Sequence, residues 1–154
     1  MGSEAGKGGT VAKAADVGPL AANVRYLLRR AQLAVFDELI QALAPLGLRP
    51  AQYGVLILLK HAPGLKQTDV AGALGIQRAN FVVLFDELER RGLARRDPMP
   101  NDRRSYALYL TAAGDEVRER AAKREAALEA SLDAKLGPGG RQQLLDLLGR
   151  LVAS

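Results

Sequence analysis

The sequence predicts a mainly α-helical protein with one small β-hairpin, and two adjoining stretches carry this prediction. Residues 77–91 predict a helix, since their apolar side chains recur at helical spacing, at Phe81, Leu84, Phe85 and Leu88. Gly92 follows as a typical residue just beyond a helix C-terminus. Two strand-like runs come next, Leu93–Arg96 and Ser105–Thr111, joined by a polar loop with two prolines. We therefore expect a helix followed directly by a hairpin.

A second, shorter helix is predicted just before this stretch, at Lys66–Gly75, and Gly75 is expected to make the tight turn between the two helices. Two helices joined by a short turn containing glycine are typical of a helix-turn-helix. With the hairpin placed after it, the order becomes that of a winged helix-turn-helix, which binds DNA. Gln77, Arg78 and Asn80 lie in the first turn of the second helix and carry groups that can hydrogen-bond to bases.

Long helices are predicted on both sides of this lobe. Apolar residues at helical spacing indicate one helix over Leu20–Leu46, ~40 Å long, which exceeds what a small globule needs. The C-terminal stretch predicts two more, Ala112–Leu136 and Pro138–Val152, the second with a strongly apolar side. We interpret these helices as a dimerisation layer. The predicted organisation is a flexible arm (1–17), a dimerisation helix (18–47), a DNA-binding lobe (48–111) and C-terminal dimerisation helices (112–154).

Positive charge is concentrated on the predicted hairpin. The formal net charge of the 154-residue chain is +5, and residues 90–104 contribute six arginines against two aspartates, while residues 112–154 are neutral. Such a surplus is the electrostatic pattern of a phosphate-binding surface. An ordinary solvated arginine-rich loop remains the alternative. Two interpretations, a solvated face and a lining for an anionic ligand, also apply to a cluster in the first long predicted helix, Arg25, Tyr26, Arg29 and Arg30.

Composition excludes several classes of function. The chain has no cysteine and a single histidine, His61, so we expect no disulfide, no thiol switch, no metal site and no cofactor. Motifs that would indicate an enzyme are missing from the sequence. It has no glycine-rich phosphate loop, and no serine or aspartate is paired with histidine at a recognisable spacing. No run approaches the roughly 18 apolar residues of a membrane span, and the N-terminus lacks the apolar core of a secretory signal. A cytoplasmic protein is therefore expected.

The predicted order of helices and hairpin, together with three sequence motifs, resembles the multiple antibiotic resistance regulator (MarR) family of bacterial transcription factors. The stretch Asn101–Gly114 is similar to that family's Asp-x-Arg…Leu-Thr-x-x-Gly pattern. Leu48–Leu56 and Asp86–Leu93 are similar to its other recurrent stretches, and the resemblance covers about residues 20–150. The positions that match the wing pattern are Asp102, Arg104, Leu110, Thr111 and Gly114.

The resemblance implies a homodimer on double-stranded DNA with a near-palindromic operator. Arg104 would enter the minor groove with Asp102 holding its guanidinium, and Arg103 would add a contact nearby. Arg78 and Asn80 would face the major groove, while Gln77 stands where the family often has a short acidic or hydroxyl residue. Gln67 and Thr68, at the start of the preceding helix, would contact phosphates.

The resemblance also implies an effector: a small aromatic carboxylate, a phenol or a CoA thioester of such an acid. The residues that would hold it are Tyr26, Arg29, Tyr53 and His61, although core packing explains both tyrosines equally well and His61 also suits a helix end. An effector that prefers a dimer with another spacing of its DNA-binding helices must weaken DNA binding, because linkage is reciprocal. Two alternatives remain. One is a constitutive DNA-binding or architectural protein without an effector, and the other is a protein-interaction dimer whose wing does not bind DNA.

Overall fold

A computed structural model describes residues 15–153, and all but the last three residues of the predicted arm at 1–17 lie outside that range. The described residues fall into two compact units, 15–34 and 35–153. In the first unit, a 3-10 turn at Gly18–Ala22 is followed by Asn23, whose side chain accepts a hydrogen bond from the Tyr26 backbone N–H at 3.0 Å. This bond caps the start of the first helix.

Helix α1 is shorter than predicted. It spans Val24–Leu43, about 30 Å at 1.5 Å per residue. The prediction of one helix over Leu20–Leu46 was wrong at both ends, where 3-10 turns at Gly18–Ala22 and Ala44–Leu46 replace α-helix. Pro19 and Pro45 lie in these turns, and Gly47 follows the second with a φ of 64°, in the left-handed region that favours glycine.

The second unit holds five further helices and three strands. These elements are α2 (Pro50–His61), β1 (Leu65–Lys66), α3 (Gln67–Ala73), α4 (Arg78–Arg90), β2 (Ala94–Met99), β3 (Asp102–Leu110), α5 (Ala112–Leu136) and α6 (Gly140–Val152). The strands form an antiparallel sheet in the order β1-β3-β2, which places Leu65 opposite Leu108. The mainly helical fold with a small sheet is confirmed, and β1 is an addition that the sequence did not predict.

One hydrophobic core holds the helix-turn-helix and the sheet together. Helix α2 contributes Tyr53, Val55, Leu56 and Leu59, and packs against α4, α5 and β3. The side chain of Gln52 is also buried in this core, where its Oε1 accepts from the Arg49 backbone N–H and its Nε2 donates to Glu87. Burying this amide costs little because both of its ends are hydrogen-bonded.

The C-terminal helices follow the predicted caps closely. Helix α5 begins after Thr111, whose hydroxyl accepts from the Gly114 backbone N–H at 3.0 Å, and it ends before Gly137. Helix α6 begins at Gly140 rather than at Pro138. It leaves large apolar side chains exposed, namely Leu145, Leu147, Leu148, Leu151 and Val152.

No single helix within residues 15–153 is long and apolar enough to cross a membrane. The consecutive segments Val24–Leu46 and Pro50–His61 pass that test only as a bent pair, on length and composition alone.

Candidate nucleic-acid interface

Helix α4 is anchored through one face, which leaves its first turn exposed. Phe81, Leu84, Phe85 and Leu88 are buried, and the rings of Phe81 and Phe85 stack with centroids 5.8 Å apart. Arg78 and Asn80 therefore point to solvent, as the helical period requires. Gln77, the residue before the helix, is exposed and makes no side-chain cap, so it does not occupy the free N–H groups of the first turn.

The turn between α3 and α4 sets the direction of this exposed end. Leu74–Gln77 joins the two helices in four residues, and Gly75 has a φ of 65° within it. A side chain is strained in that left-handed region, so glycine is the residue that the turn favours. The predicted helix-turn-helix is thus present, with the second helix starting one residue later than expected.

A small cationic cavity lies where the starts of α3 and α4 meet strand β3. Its volume is about 60 Å³, and its lining consists of Lys66, Gln67, Thr68, Arg78, Arg104, Ser105 and Tyr106. Four of these residues were predicted as DNA contacts, and the fold brings them together from three separate segments. Three cationic side chains around one opening form a surface suited to an anion such as a phosphate.

Sequence reasoning missed three residues of this cationic cavity. Lys66 lies directly before the predicted contact Gln67, so its position next to Gln67 could have indicated it. Ser105 and Tyr106 belong to β3, and only the pairing of that strand with β1 places them beside α3. The other four predicted contacts are exposed but do not line the cavity, namely Gln77, Asn80, Asp102 and Arg103.

The wing, which we define as β2, β3 and the two-residue turn between them, has an ordered tip. The Asp102 carboxylate accepts a hydrogen bond from the Arg104 backbone N–H at 3.0 Å and another from the Ser105 hydroxyl at 2.6 Å. The hydrogen bond from Ser105, and to a smaller extent the one from the Arg104 backbone, holds the pKa of Asp102 below its usual range. Among residues 15–153 no ion pair joins Asp102 to the Arg104 guanidinium, so Asp102 braces the arginine's backbone rather than its charged end.

Three of the six arginines counted as a phosphate-binding surplus are engaged within the protein. Arg91 donates to the carbonyl oxygens of Leu46 and Gly47 at 2.9 and 2.6 Å. Arg95 pairs with Asp97 at 3.4 Å and lies over the Tyr109 ring. Arg96 pairs with carboxylates of α4. The arginine count therefore overstated the cationic surface of this region, because a sequence does not show which guanidinium groups find internal partners.

The predicted effector residues differ in their surroundings. In the first unit, Tyr26 is half-buried and Arg29 is exposed. In the second unit, His61 is exposed at the end of α2 and Tyr53 is buried, with its hydroxyl donating to Glu125 at 2.7 Å. Burial, followed by this bond to an anionic partner, raises the pKa of Tyr53. The hydroxyl of Tyr53 thus already has a partner on α5.

A helix-turn-helix with an exposed cationic first turn, next to a two-stranded wing, defines a winged-helix DNA-binding protein. Residues 46–105 match the sequence model of the MarR family. The chain is also 33% identical over 135 residues to a transcriptional regulatory protein for the hcr operon of Thauera aromatica, a match that covers 87% of this chain and 81% of that protein.

Solved structures of a transcriptional repressor, CouR, are similar over most of the chain. CouR bound to a 23-mer DNA duplex superimposes with a TM-score of 0.85 and 43% identity, covering 90% of this chain and 99% of that chain. CouR bound to p-coumaroyl-CoA gives a TM-score of 0.82 and 40% identity, over 90% and 98% of the two chains. The protein belongs to the MarR family, and it is a transcriptional regulator rather than an enzyme.

Proposed function

We propose that this regulator is a repressor that binds a near-palindromic operator as a homodimer and is released by a small aromatic acid or its CoA thioester. The observation that carries the proposal is the cationic cavity, in which β1, α4 and the wing present Lys66, Arg78 and Arg104 around one opening. The CouR complex with a 23-mer duplex supports DNA as the occupant of this surface.

Each element has a distinct role in the proposed complex. The first turn of α4 enters the major groove, where Arg78 suits guanine and Asn80 suits adenine. Arg104 enters the minor groove, whose narrow form concentrates negative potential, and Asp102 lowers the entropy cost by ordering the arginine's backbone. Gln67 and Thr68 contact phosphates at the start of α3, while Gln77 and Arg103 contact the DNA beside them.

Unpartnered apolar side chains on α1 and α6 support the homodimer. Those on α1 are Val24, Leu27, Leu28, Leu33, Val35, Phe36 and Ile40. Each of these two helices exposes more apolar side chains than scattered single residues would, and burial against a second copy would remove them from water. The dimer would then hold two α4 helices one DNA turn apart, roughly 34 Å, which matches two half-sites. Segments 18–47 and 112–154 are accordingly the proposed dimerisation layer, and 48–111 the DNA-binding lobe.

The effector proposal rests on the similarity to CouR, which binds p-coumaroyl-CoA. Tyr26, Arg29, Tyr53 and His61 are the residues that we propose contact it, with Arg29 for an anionic group and the aromatic rings for the acyl portion. Tyr53 would act through its ring, since its hydroxyl is bonded to Glu125. The alternative is a constitutive DNA-binding protein with the same DNA contacts and no effector.

Fluorescence anisotropy with the upstream intergenic DNA tests the proposal. Arg104→Ala should weaken binding at least about tenfold, the effect of losing one good groove contact. Arg95→Ala is the matched control, since Arg95 lies on the same wing but is paired with Asp97, and it should change affinity about twofold at most. Wild-type affinity should fall steeply with salt, as phosphate contacts require.

The same assay separates the two candidate functions. Addition of p-coumaroyl-CoA or a related aromatic acid should release the DNA from a ligand-responsive repressor. Binding that persists with every member of such a series would favour the constitutive protein. Equal, weak binding of wild type and Arg104→Ala to this and to random DNA would contradict both functions.

A further inference from the structure

Arg96 is the arginine of the wing that is turned most completely inward. Its side chain is 15% exposed, and its guanidinium carbon lies 4.7 Å from the centroid of the Phe85 ring. Its Nη1 pairs with Asp86 at 2.8 Å and with Glu89 at 3.3 Å, and both of these carboxylates belong to α4. The backbone N–H of Arg96 also donates to Glu89, at 3.0 Å. Its position is therefore held from several directions.

The remaining contact of this guanidinium reaches a different helix. Arg96 Nε donates to Oε1 of Gln67, the first residue of α3, at 3.0 Å. A guanidinium has only donors, so the amide of Gln67 must turn its oxygen toward Arg96. The donor-only guanidinium thus distinguishes the oxygen of the Gln67 amide from its nitrogen, which are otherwise hard to tell apart. The group that Gln67 retains for other partners is its NH₂, with two donors.

Gln67 also lines the cationic cavity, together with its sequence neighbours Lys66 and Thr68 and with Arg78 and Arg104. An amide that offers N–H groups there suits a phosphate, whereas the opposite orientation would place an oxygen against it. We propose that Arg96 is a positioning residue for DNA binding, which holds the Gln67 amide as a hydrogen-bond donor to a backbone phosphate. This inference rests on the proposed DNA-binding function and adds to it a residue that does not itself contact DNA.

The physical benefit is pre-orientation. The torsion that rotates a glutamine amide is broad and roughly two-fold, so a free amide samples both orientations. Arg96 is fixed by two carboxylates and a ring, and its bond to Oε1 removes that freedom before DNA arrives. A hydrogen bond to a charged group such as a phosphate, when made by a correctly oriented donor, corresponds to about tenfold in affinity.

A double-mutant cycle measured by operator anisotropy tests this role. Arg96→Met removes every side-chain donor at this position and keeps an unbranched side chain that can pack on the Phe85 ring. Gln67→Ala should lower operator affinity about tenfold in the wild-type background. In the Arg96→Met background it should lower that affinity about twofold at most. Arg49→Met is the matched control: Arg49 pairs with Glu87 of α4 at 2.8 Å, so the variant also removes one arginine from a carboxylate of that helix. Beside Arg49→Met, Gln67→Ala should again cost about tenfold.

An equal cost of Gln67→Ala in all three backgrounds, or no cost in wild type, would overturn the positioning role. If Arg96→Met does not fold, Gln67→Glu replaces it: a carboxylate keeps the bond from Arg96 but has no donor. Gln67→Glu should melt no lower than wild type and bind operator at least tenfold more weakly, and wild-type affinity in this variant would overturn the inference. Failure of the wild-type protein itself to bind DNA would overturn the proposed function as well, so the two failures are distinguishable.

Discussion

Asp102 organises the wing tip through its two carboxylate oxygens, one on the Arg104 backbone and one on the Ser105 hydroxyl. The resemblance to a known family implied that Asp102 holds the guanidinium of Arg104, whereas in the structure Asp102 bonds the main chain of that residue. The guanidinium is thereby left free for a partner while the residue that bears it is held in place.

We predict that the pKa of Asp102, followed by carbon-detected NMR of its carboxyl group, lies below its ordinary value of 3.8. Because the folded-state pKa is lowered, the associated stabilisation is complete above the unfolded-chain value. It is lost as the pH falls through the folded-state value. Ser105→Ala should move the titration midpoint upward toward 3.8, since the Ser105 bond is the largest cause of the shift.

Thr68→Ala, which removes an exposed hydroxyl from α3, is the control for this titration and should leave the midpoint unchanged. A wild-type midpoint at or above 3.8, or one that does not respond to Ser105→Ala, would contradict the arrangement at the wing tip.

Neighbouring arginines of the wing differ in role for reasons that lie outside the wing. Arg96 meets Asp86 and Glu89 because β2 returns alongside α4, whereas Arg104 lies on the exposed part of β3 and lines the cationic cavity. Residue type predicts the charge of such a segment. The partner of each charge depends on which element packs beside it.

At the scale of elements, the junction between the wing and α5 is closely packed. Thr111 caps α5 through Gly114 and also donates its hydroxyl proton to the Gly92 carbonyl at 2.6 Å. A Cβ built on Gly114 would lie 1.9 Å from the Leu93 carbonyl oxygen and 2.8 Å from Leu110 Cδ1. The start of α5 therefore approaches the backbone between α4 and β2 as only a glycine allows.

Gly114→Ala should lower the free energy of unfolding by about 3 kcal/mol, since neither the carbonyl nor the helix can move away without breaking the cap. Urea denaturation monitored by circular dichroism would measure this change. Gly149→Ala is the matched control: this glycine lies in α6 with nothing within 4 Å of a built Cβ. It should raise the free energy of unfolding by up to about 1 kcal/mol, the helix preference of alanine. Equal stability of the two variants would contradict the close approach.

Helix α2 is joined to α5 by a partly buried hydrogen bond from the Tyr53 hydroxyl to Glu125. Tyr53→Phe should lower the free energy of unfolding by about 1–2 kcal/mol, because Glu125 loses a donor in a partly buried position. Thermal and urea unfolding would measure the change. Tyr106→Phe is the control, since Tyr106 is 40% exposed, and it should stay within about 0.5 kcal/mol of wild type. If Tyr53→Phe is as stable as the control, the contact does not stabilise the packing of α2 on α5.

At the scale of the whole molecule, the exposed leucines of α6 lie outside the hydrophobic core of residues 35–153. The proposed homodimer would bury them against a second copy and would place two DNA-binding lobes on one operator. The stability of the assembly and its affinity for DNA would then depend on the same surface.

Leu148→Glu combined with Leu151→Glu should convert the proposed dimer to a monomer, since burying two carboxylates in an apolar interface is unfavourable. Sedimentation velocity would show the change in mass, and operator affinity should fall by at least about 100-fold with the loss of bivalent binding. Gln143→Glu, a charge change at an exposed polar position of the same helix, is the control and should leave both unchanged. A double variant that sediments as the wild type would contradict the role of α6.

The sequence by itself determined the elements whose signals are local. Pro50 and His61 bound α2 as predicted, and Thr111 and Gly137 bound α5, because caps and breakers act on the few residues beside them. The helix-turn-helix followed by a hairpin was predictable for the same reason. The two-residue strand β1 was not, since Leu65–Lys66 is too short for any periodic pattern and becomes a strand only by pairing with β3.

Only the tertiary structure decided which distant side chains meet. Arg96 and Gln67 are 29 residues apart in the chain, Gln52 and Glu87 are 35 apart, and Tyr53 and Glu125 are 72 apart. No local pattern encodes such pairs, because each exists only once the core has brought α2, α3, α4 and α5 into their positions. Composition predicts positive charge in the wing, and packing decides which guanidinium groups turn inward to hold the fold and which remain exposed.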